Sequence, residues 1–222
     1  MTWDVVLFDL DGTLTHSEAG VAGGVRYALA QLGYPPEPED QMRRFLGPTL
    51  YHSFGHTIGM PEAQAREAVR LYREYYDEHG AYENEVFAGI PQLLTALNAA
   101  GKRLAVATSK VEYAAVAILR HFNLDHHFDV IVGAGADESV RGTKGLVIEH
   151  ALAELRMCDG TSVVMVGDRE HDIHGAAENG LPAIGVRYGY GRPGELEEAG
   201  ALLVVDTVPE LATALLGTSQ PS

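Results

Sequence analysis

With 222 residues, 46% of them hydrophobic, the chain carries enough apolar material for a buried core, which excludes a disordered or fibrous protein and suits one domain or a core with a smaller insert. A formal net charge of -15 excludes a broad contact with a nucleic-acid backbone, because such binding needs clustered Lys and Arg to displace counterions. The single cysteine, Cys158, excludes an internal disulfide and a four-cysteine zinc site, and a reducing, cytoplasmic setting suits it best.

In chain order, the N-terminus carries Asp4 and Asp9 and lacks the basic start and long apolar stretch of a secretory signal; no apolar run reaches membrane-spanning length. The first element is the apolar run Val5-Val6-Leu7-Phe8, read as a strand. Residues 17–86 then show no convincing strand, only helical patterns at Glu18 to Leu32, Asp40 to Phe45 and Pro61 to Glu78, with the rigid connector Tyr34-Pro35-Pro36-Glu37-Pro38 between them. This stretch is expected to be an inserted all-helical cap, a lid beyond the carboxyl end of the first strand. From about residue 87 the rhythm is strand and helix in turn. The strands are Leu104 to Ala107, Val130 to Val132, Val163 to Val166 and, more weakly, Ala183 to Val186 and Leu202 to Val205. The helices are Pro91 to Ala100, Glu112 to Phe122, Gly145 to Leu155 and His174 to Asn179. Unbroken rather than alternating hydrophobicity means burial on both faces, which occurs where helices cover a parallel sheet. The expected fold class is α/β, a Rossmann-like parallel-sheet core at 1–16 and 87–222 with the cap at 17–86. Gly217 to Ser222 reads as a frayed tail.

Polar residues follow the buried strands at one sheet edge. Strand one runs into Asp9 and Asp11, with Gly12 to turn the chain; the second runs into Thr108-Ser109-Lys110; the fourth into Gly167-Asp168, with Asp172 four residues on. Three carboxylates crowded together call for a hard divalent cation with oxygen ligands, and magnesium matches so small a set. Phosphoryl transfer needs an in-line nucleophile, a proton donor and groups that hold the equatorial oxygens. A carboxylate can attack, and Thr108, nearby backbone N–H groups and a lysine can hold phosphate. Of the three lysines, Lys102 precedes the second strand at its far end, which leaves Lys110 and Lys144 open as alternatives. Thr108 has a competing role as a cap for the helix beginning near Glu112, and Asp172 as a cap for a helix from Ile173.

On these residues the chain resembles the haloacid dehalogenase superfamily, in its phosphoglycolate phosphatase-like and 5'-nucleotidase-like branch with a helical cap. Asp9-Leu10-Asp11-Gly12-Thr13-Leu14 resembles the first motif, Val106-Ala107-Thr108-Ser109-Lys110 the second, Lys144 the third and Val166-Gly167-Asp168-Arg169-Glu170-His171-Asp172 the fourth. The resemblance implies a magnesium-dependent phosphatase of small phosphomonoesters that works through an aspartyl-phosphate. It implies Asp9 as nucleophile and metal ligand, and Asp11 as general acid and base that also binds metal through its carbonyl. Thr108, Ser109 and Lys144 would hold phosphate, and Asp168 and Asp172 would serve the metal.

The cap sequence Arg43-Arg44-Phe45-Leu46-Gly47-Pro48-Thr49 offers Arg43, Arg44 and Thr49 as leaving-group contacts. His171 and His174 have helical spacing but no further His or Cys cluster to complete a zinc site, and Gly133 to Asp137 and Tyr188 to Gly191 read as turns. The expected partner is a small phosphate ester, with no nucleic acid and no membrane, for a monomer or homodimer. The rival readings are a phosphomutase of the β-phosphoglucomutase type and a non-catalytic phosphometabolite-binding protein.

Overall fold

The computed structural model describes residues 3–135 and 141–217. The chain divides into two compact units, one formed by Met1–Thr15 and Val86–Ser222, the other by His16–Glu85. It opens with β1 (Val5–Phe8), leaves the first unit through β2 (Thr15–His16) and returns through β3 (Glu85–Val86).

The second unit is helical: α1 (Glu18–Gln31), a 3₁₀ helix at Glu39–Phe45, α2 (Leu50–His52) running into a wider π turn at Ser53–Thr57, and α3 (Glu62–Tyr75). α3 buries Ala65, Ala68, Val69, Leu71 and Tyr72 on one stripe, and its outer face carries Arg66–Glu62, Arg70–Glu67 and Arg70–Glu74 ion pairs at helical spacing. The sequence pattern predicts one helix over Pro61 to Glu78. The α-helix instead stops at Tyr75 and widens into a π turn at Tyr76–Gly80. The reason is steric: a Cβ on Gly20 of α1 would lie 2.0 Å from the Gly80 carbonyl, so the wider turn presses backbone on backbone where only glycine fits. The segment Asp40 to Phe45, expected as helical, is a helix of the tighter 3₁₀ form over Glu39–Phe45, followed by Gly47 at positive φ and Pro48.

The first unit continues with α4 (Ile90–Ala99), β4 (Arg103–Val111), α5 (Glu112–His121), β5 (Val130–Ala134), α6 (Lys144–Leu155), β6 (Val163–Gly167), α7 (Glu170–Glu178), β7 (Ala183–Val186), α8 (Glu195–Glu198), β8 (Leu203–Val205) and α9 (Val208–Leu216). Six strands form a parallel sheet in the order β5-β4-β1-β6-β7-β8. This is the parallel α/β architecture that the unbroken apolar runs predict; every residue of β1 and β6 is buried. The core packs Val5, Leu7, Ala105, Val132 and Met165 against Val147, Ile148, Ala151 and Ile173 of the covering helices. β4 and β5 lie on one side of β1, and β6 to β8 on the other. The chain therefore reverses direction across the sheet between β5 and β6, and open α/β sheets bind ligands at such a crevice, outside the carboxyl ends of the strands.

Three differences from the sequence reading matter here. β4 extends to Val111 through a register irregularity between Ala107 and Val111, so Thr108 to Lys110 leave the regular pleat. α7 begins at Glu170 rather than His174. α9 is an additional helix, started by Thr207, whose hydroxyl accepts from the Glu210 N–H at 3.3 Å, while Glu210 accepts from the Asp206 N–H. Gly133 and Ala134 belong to β5, whereas positions 136–137 of the expected turn, and 218–222 of the expected tail, lie outside the described residues. Among the described residues no helix is long and apolar enough to cross a membrane.

Candidate active site

Asp9 is the residue after β1, and its N–H still donates to Val166 O at 2.9 Å, so it stays in register with β6 and is 4% exposed. The chain then turns at Gly12, whose φ of 87° lies in the left-handed region. A side chain there would collide with Asp168, at 2.2 Å from Oδ2. Gly12 thus serves two ends, turning Asp11 beside Asp9 and letting Asp168 close over the turn. Asp168, fully buried after β6, accepts from Thr13 Oγ1 at 3.2 Å and from the Tyr190 N–H at 2.7 Å.

Lys144 is the first residue of α6, after Thr143, whose hydroxyl caps the helix by accepting from the Leu146 N–H. A buried cation at a helix N-terminus is doubly disfavoured, by desolvation and by the helix dipole. Its ammonium compensates with Asp9 Oδ1 and Asp172 Oδ1, each at 2.8 Å, and donates to Ala107 O at 3.1 Å. Burial would lower its pKa, but Asp172 and Asp9 outweigh burial and hold it above the ordinary lysine value. Close packing of α6 on α7 makes this reach possible: a Cβ on Gly175 would lie 2.9 Å from both Gly145 N and Lys144 Cγ. Asp172 divides its two oxygens. Oδ1 meets Lys144, and Oδ2 accepts from the Arg169 N–H at 3.1 Å, capping a helix that begins at Glu170, not one from Ile173.

The second lysine has a different partner: Lys110 Nζ lies 2.8 Å from Asp11 Oδ2, with the two side chains 8% and 14% exposed. Thr108 is buried, and its hydroxyl accepts from the Lys110 N–H at 3.2 Å. It does not cap α5, whose N-cap is Val111 without a side-chain bond. Ser109 follows it in the irregular end of β4.

Tyr188 to Gly191, read from sequence as a plain turn, is part of the site wall. The Tyr188 hydroxyl donates to Thr13 O at 3.0 Å, and Tyr190 holds Asp168 through its backbone. Only the paired glycines hinted at this, since loops that press backbone on a carboxylate exclude a Cβ.

Arg43, Arg44 and Thr49 lie in the helical unit, where each has a local partner. Arg43 Nε is 3.0 Å from Glu18 Oε1, Arg44 pairs with Glu37, and Thr49 caps α2 by accepting from the His52 N–H.

Asp9, Asp168 and Asp172 can each place an oxygen within 4.8 Å of the others, and all three are buried. Burial, and then each other's charge, raises Asp168 well above the ordinary carboxylate range; burial raises Asp9 to about 6 against the pull of Lys144. Asp11 Oδ1 is buried with no hydrogen-bond partner. An all-oxygen set with surplus negative charge fits a hard divalent cation. His171 and His174 join no cluster of this kind among the described residues.

The same charges make a stability prediction. A carboxyl whose folded pKa is raised binds protons more readily folded than unfolded, so its stabilising effect is complete below the unfolded value of 3.8 and is lost as pH rises through the folded value of about 6. For Asp9 that loss is of the order of 3 kcal/mol, at about 1.4 kcal/mol per pH unit. Most of that loss occurs below pH 5, and about 1.4 kcal/mol of it falls between about pH 5 and pH 8, so without divalent cations the thermal midpoint is expected to fall by roughly 3–6 °C over that window, and to fall less in Asp9→Asn. Scanning calorimetry checks this, and a midpoint that stays level or rises over that window contradicts it.

The family model described as haloacid dehalogenase-like hydrolase matches residues 6–186. The chain is 44% identical to tyrosine-protein kinase PtkA of Mycobacterium tuberculosis, over 95% of this chain and 72% of that protein. It is 45% identical to a 5'-nucleotidase of Pseudomonas aeruginosa, over 86% of each chain. Its fold superposes on the crystal structure of a predicted phosphatase from Clostridium acetobutylicum with a TM-score of 0.93 at 40% identity, over 98% of this chain and 100% of that one.

Proposed function

The chain belongs to the haloacid dehalogenase-like hydrolases and is a phosphatase of that family, and we propose that it hydrolyses small phosphomonoesters through attack by Asp9 on phosphorus. The observation that carries this reading is the convergence of Asp9, Asp168 and Asp172 on one buried point, with Lys144 bridging two of them.

In the proposed reaction an Asp9 oxygen bonds to phosphorus as the ester P–O bond breaks, and the leaving oxygen takes a proton from Asp11. Water then gives a proton to Asp11 and attacks phosphorus, the bond to Asp9 breaks, and inorganic phosphate leaves with the carboxylate restored. Thr108, Ser109 and Lys144 hold the phosphoryl oxygens, Lys144 as a fixed charge that needs no reorganisation. Lys110, paired with Asp11, keeps that carboxylate beside the reacting atoms. Asp9, Asp168, Asp172 and the Asp11 carbonyl would hold a magnesium ion, which when bound supplies positive charge to the phosphoryl oxygens. Arg43, Arg44 and Thr49 are the proposed leaving-group contacts, and the cytoplasm the proposed location.

Nucleoside monophosphates and phosphoglycolate are the substrates of first choice, the former because of the 5'-nucleotidase relative. Phosphate release measured with magnesium across nucleoside monophosphates, phosphoglycolate and sugar phosphates is expected to favour one class by more than about tenfold in kcat/KM. Arg43→Ala and Arg44→Ala should narrow that preference. Absence of phosphate release from every ester would overturn the assignment.

A second acceptor is suggested by the tyrosine-protein kinase relative. The same phosphoryl-Asp9 could pass its group to a hydroxyl rather than to water, as a phosphomutase also would. Phosphorylated product on an added tyrosine peptide or sugar, against free phosphate, separates the two fates.

A further inference from the structure

We propose that the segment Tyr188 to Glu195, between β7 and α8, is the device that orients the metal carboxylate Asp168, and that Glu195 is its anchoring residue. The inference rests on the reading above, in which Asp168 holds the cation.

Glu195 is 4% exposed, although carboxylates are rarely so buried without a task. Its Oε1 accepts from Arg169 Nε at 2.7 Å and from the Glu170 N–H at 3.0 Å, and its Oε2 accepts from the Arg192 N–H at 3.0 Å. Burial pushes its pKa up, but the bonds from Glu170, Arg169 and Arg192 more than offset that and leave it below the ordinary value. One carboxylate therefore fastens the 188–194 loop to the first turn of α7, directly after Asp168 in the chain.

Between its ends the loop lies against Asp168. The Tyr190 N–H donates to Asp168 Oδ2, and a Cβ on Gly189 or Gly191 would lie 2.4 Å from Asp168 Cβ or 2.5 Å from Asp168 O. At its start, the Tyr188 hydroxyl donates to Thr13 O, and Thr13 Oγ1 donates to the other Asp168 oxygen, Oδ1. Both oxygens of Asp168 are thus addressed, one by the loop itself and one by a residue that the loop holds. Groups that orient metal carboxylates from behind typically change metal affinity 10–100-fold when removed.

The test is calorimetric titration of Mg²⁺ into the full chain for wild type, Glu195→Gln, Tyr188→Phe, Glu198→Gln and Asp168→Asn. Glu195→Gln keeps shape but removes the charge and an acceptor, and is expected to weaken Mg²⁺ binding by about 10–100-fold. Its kcat should return towards wild type at saturating Mg²⁺, because Glu195 positions and does not react. Tyr188→Phe keeps its edge contact with Phe87 and loses only the hydroxyl, so it carries the test if Glu195→Gln does not fold. Glu198 pairs with Arg192 on the surface, and its replacement should leave the affinity unchanged. Near-wild-type affinity in both Glu195→Gln and Tyr188→Phe, with binding abolished in Asp168→Asn, would overturn the positioning role alone. Unweakened binding in Asp168→Asn would overturn the metal reading beneath it.

Discussion

Asp9→Asn is expected to lower turnover of an aryl phosphate by about 10⁴-fold or more, the scale on which removal of an attacking residue is felt. An amide of the same shape cannot form the bond to phosphorus that the mechanism requires. Asp9 is suited to attack because, although burial raises its pKa to about 6, it is still mostly ionised at neutral pH with Lys144 at 2.8 Å. The fold should survive, since the substitution takes one negative charge out of a buried cluster of three carboxylates and leaves Lys144 paired with Asp172. A thermal midpoint equal to or above that of wild type, without added metal, is the companion result. Hydrolysis within about tenfold of wild type would remove Asp9 from the mechanism and with it the covalent intermediate.

Lys144→Met carries the second large effect, and here activity and stability fall together. The ammonium is the single cation that touches both Asp9 and Asp172 among the described residues, and without it three buried carboxylates face one another. Breaking a buried ion pair by removing one partner costs about 3–5 kcal/mol, which corresponds to a midpoint lower by roughly 10 °C in a chain of this size. The drop should be larger at pH 8 than at pH 5, because protonation of Asp9 relieves the repulsion at the lower pH. Turnover should fall by about 10²–10³-fold, the usual effect of losing one fixed group that stabilises transition-state charge. Thermal unfolding with and without Mg²⁺ at both pH values, alongside steady-state kinetics, provides the check. An unchanged midpoint with activity within tenfold would show that Lys144 is an ordinary helix-start residue.

Lys110 shows why the two lysines could not be ranked from the sequence. Both follow elements that end at the same sheet edge, and both are compatible with phosphate binding. Only the positions of α6 and of the irregular end of β4 place Lys144 on Asp9 and Lys110 on Asp11. The start of α7 escaped for a related reason. Arg169, Glu170 and His171 offer no apolar periodicity, and the helix begins there because Asp172 reaches back to cap it. α9, by contrast, had a legible signal in Thr207 and Glu210, a capping pair ahead of apolar residues.

What the sequence by itself determines is the parallel sheet and the identity of the chemical groups. Four unbroken apolar runs can only be strands covered on both faces, and the polar residues that follow them must gather where parallel strands end. Those are local facts, written in residue type and spacing. What the tertiary structure alone decides is which of those groups touch. The strand order sets β6 beside β1 and so Asp168 beside Asp9; the Gly145 and Gly175 contact brings Lys144 to Asp172; a loop more than 170 residues from Thr13 ties it to Asp168. Contacts of that kind arise from close approach between distant segments, and their only trace in the sequence is a glycine where any side chain would collide.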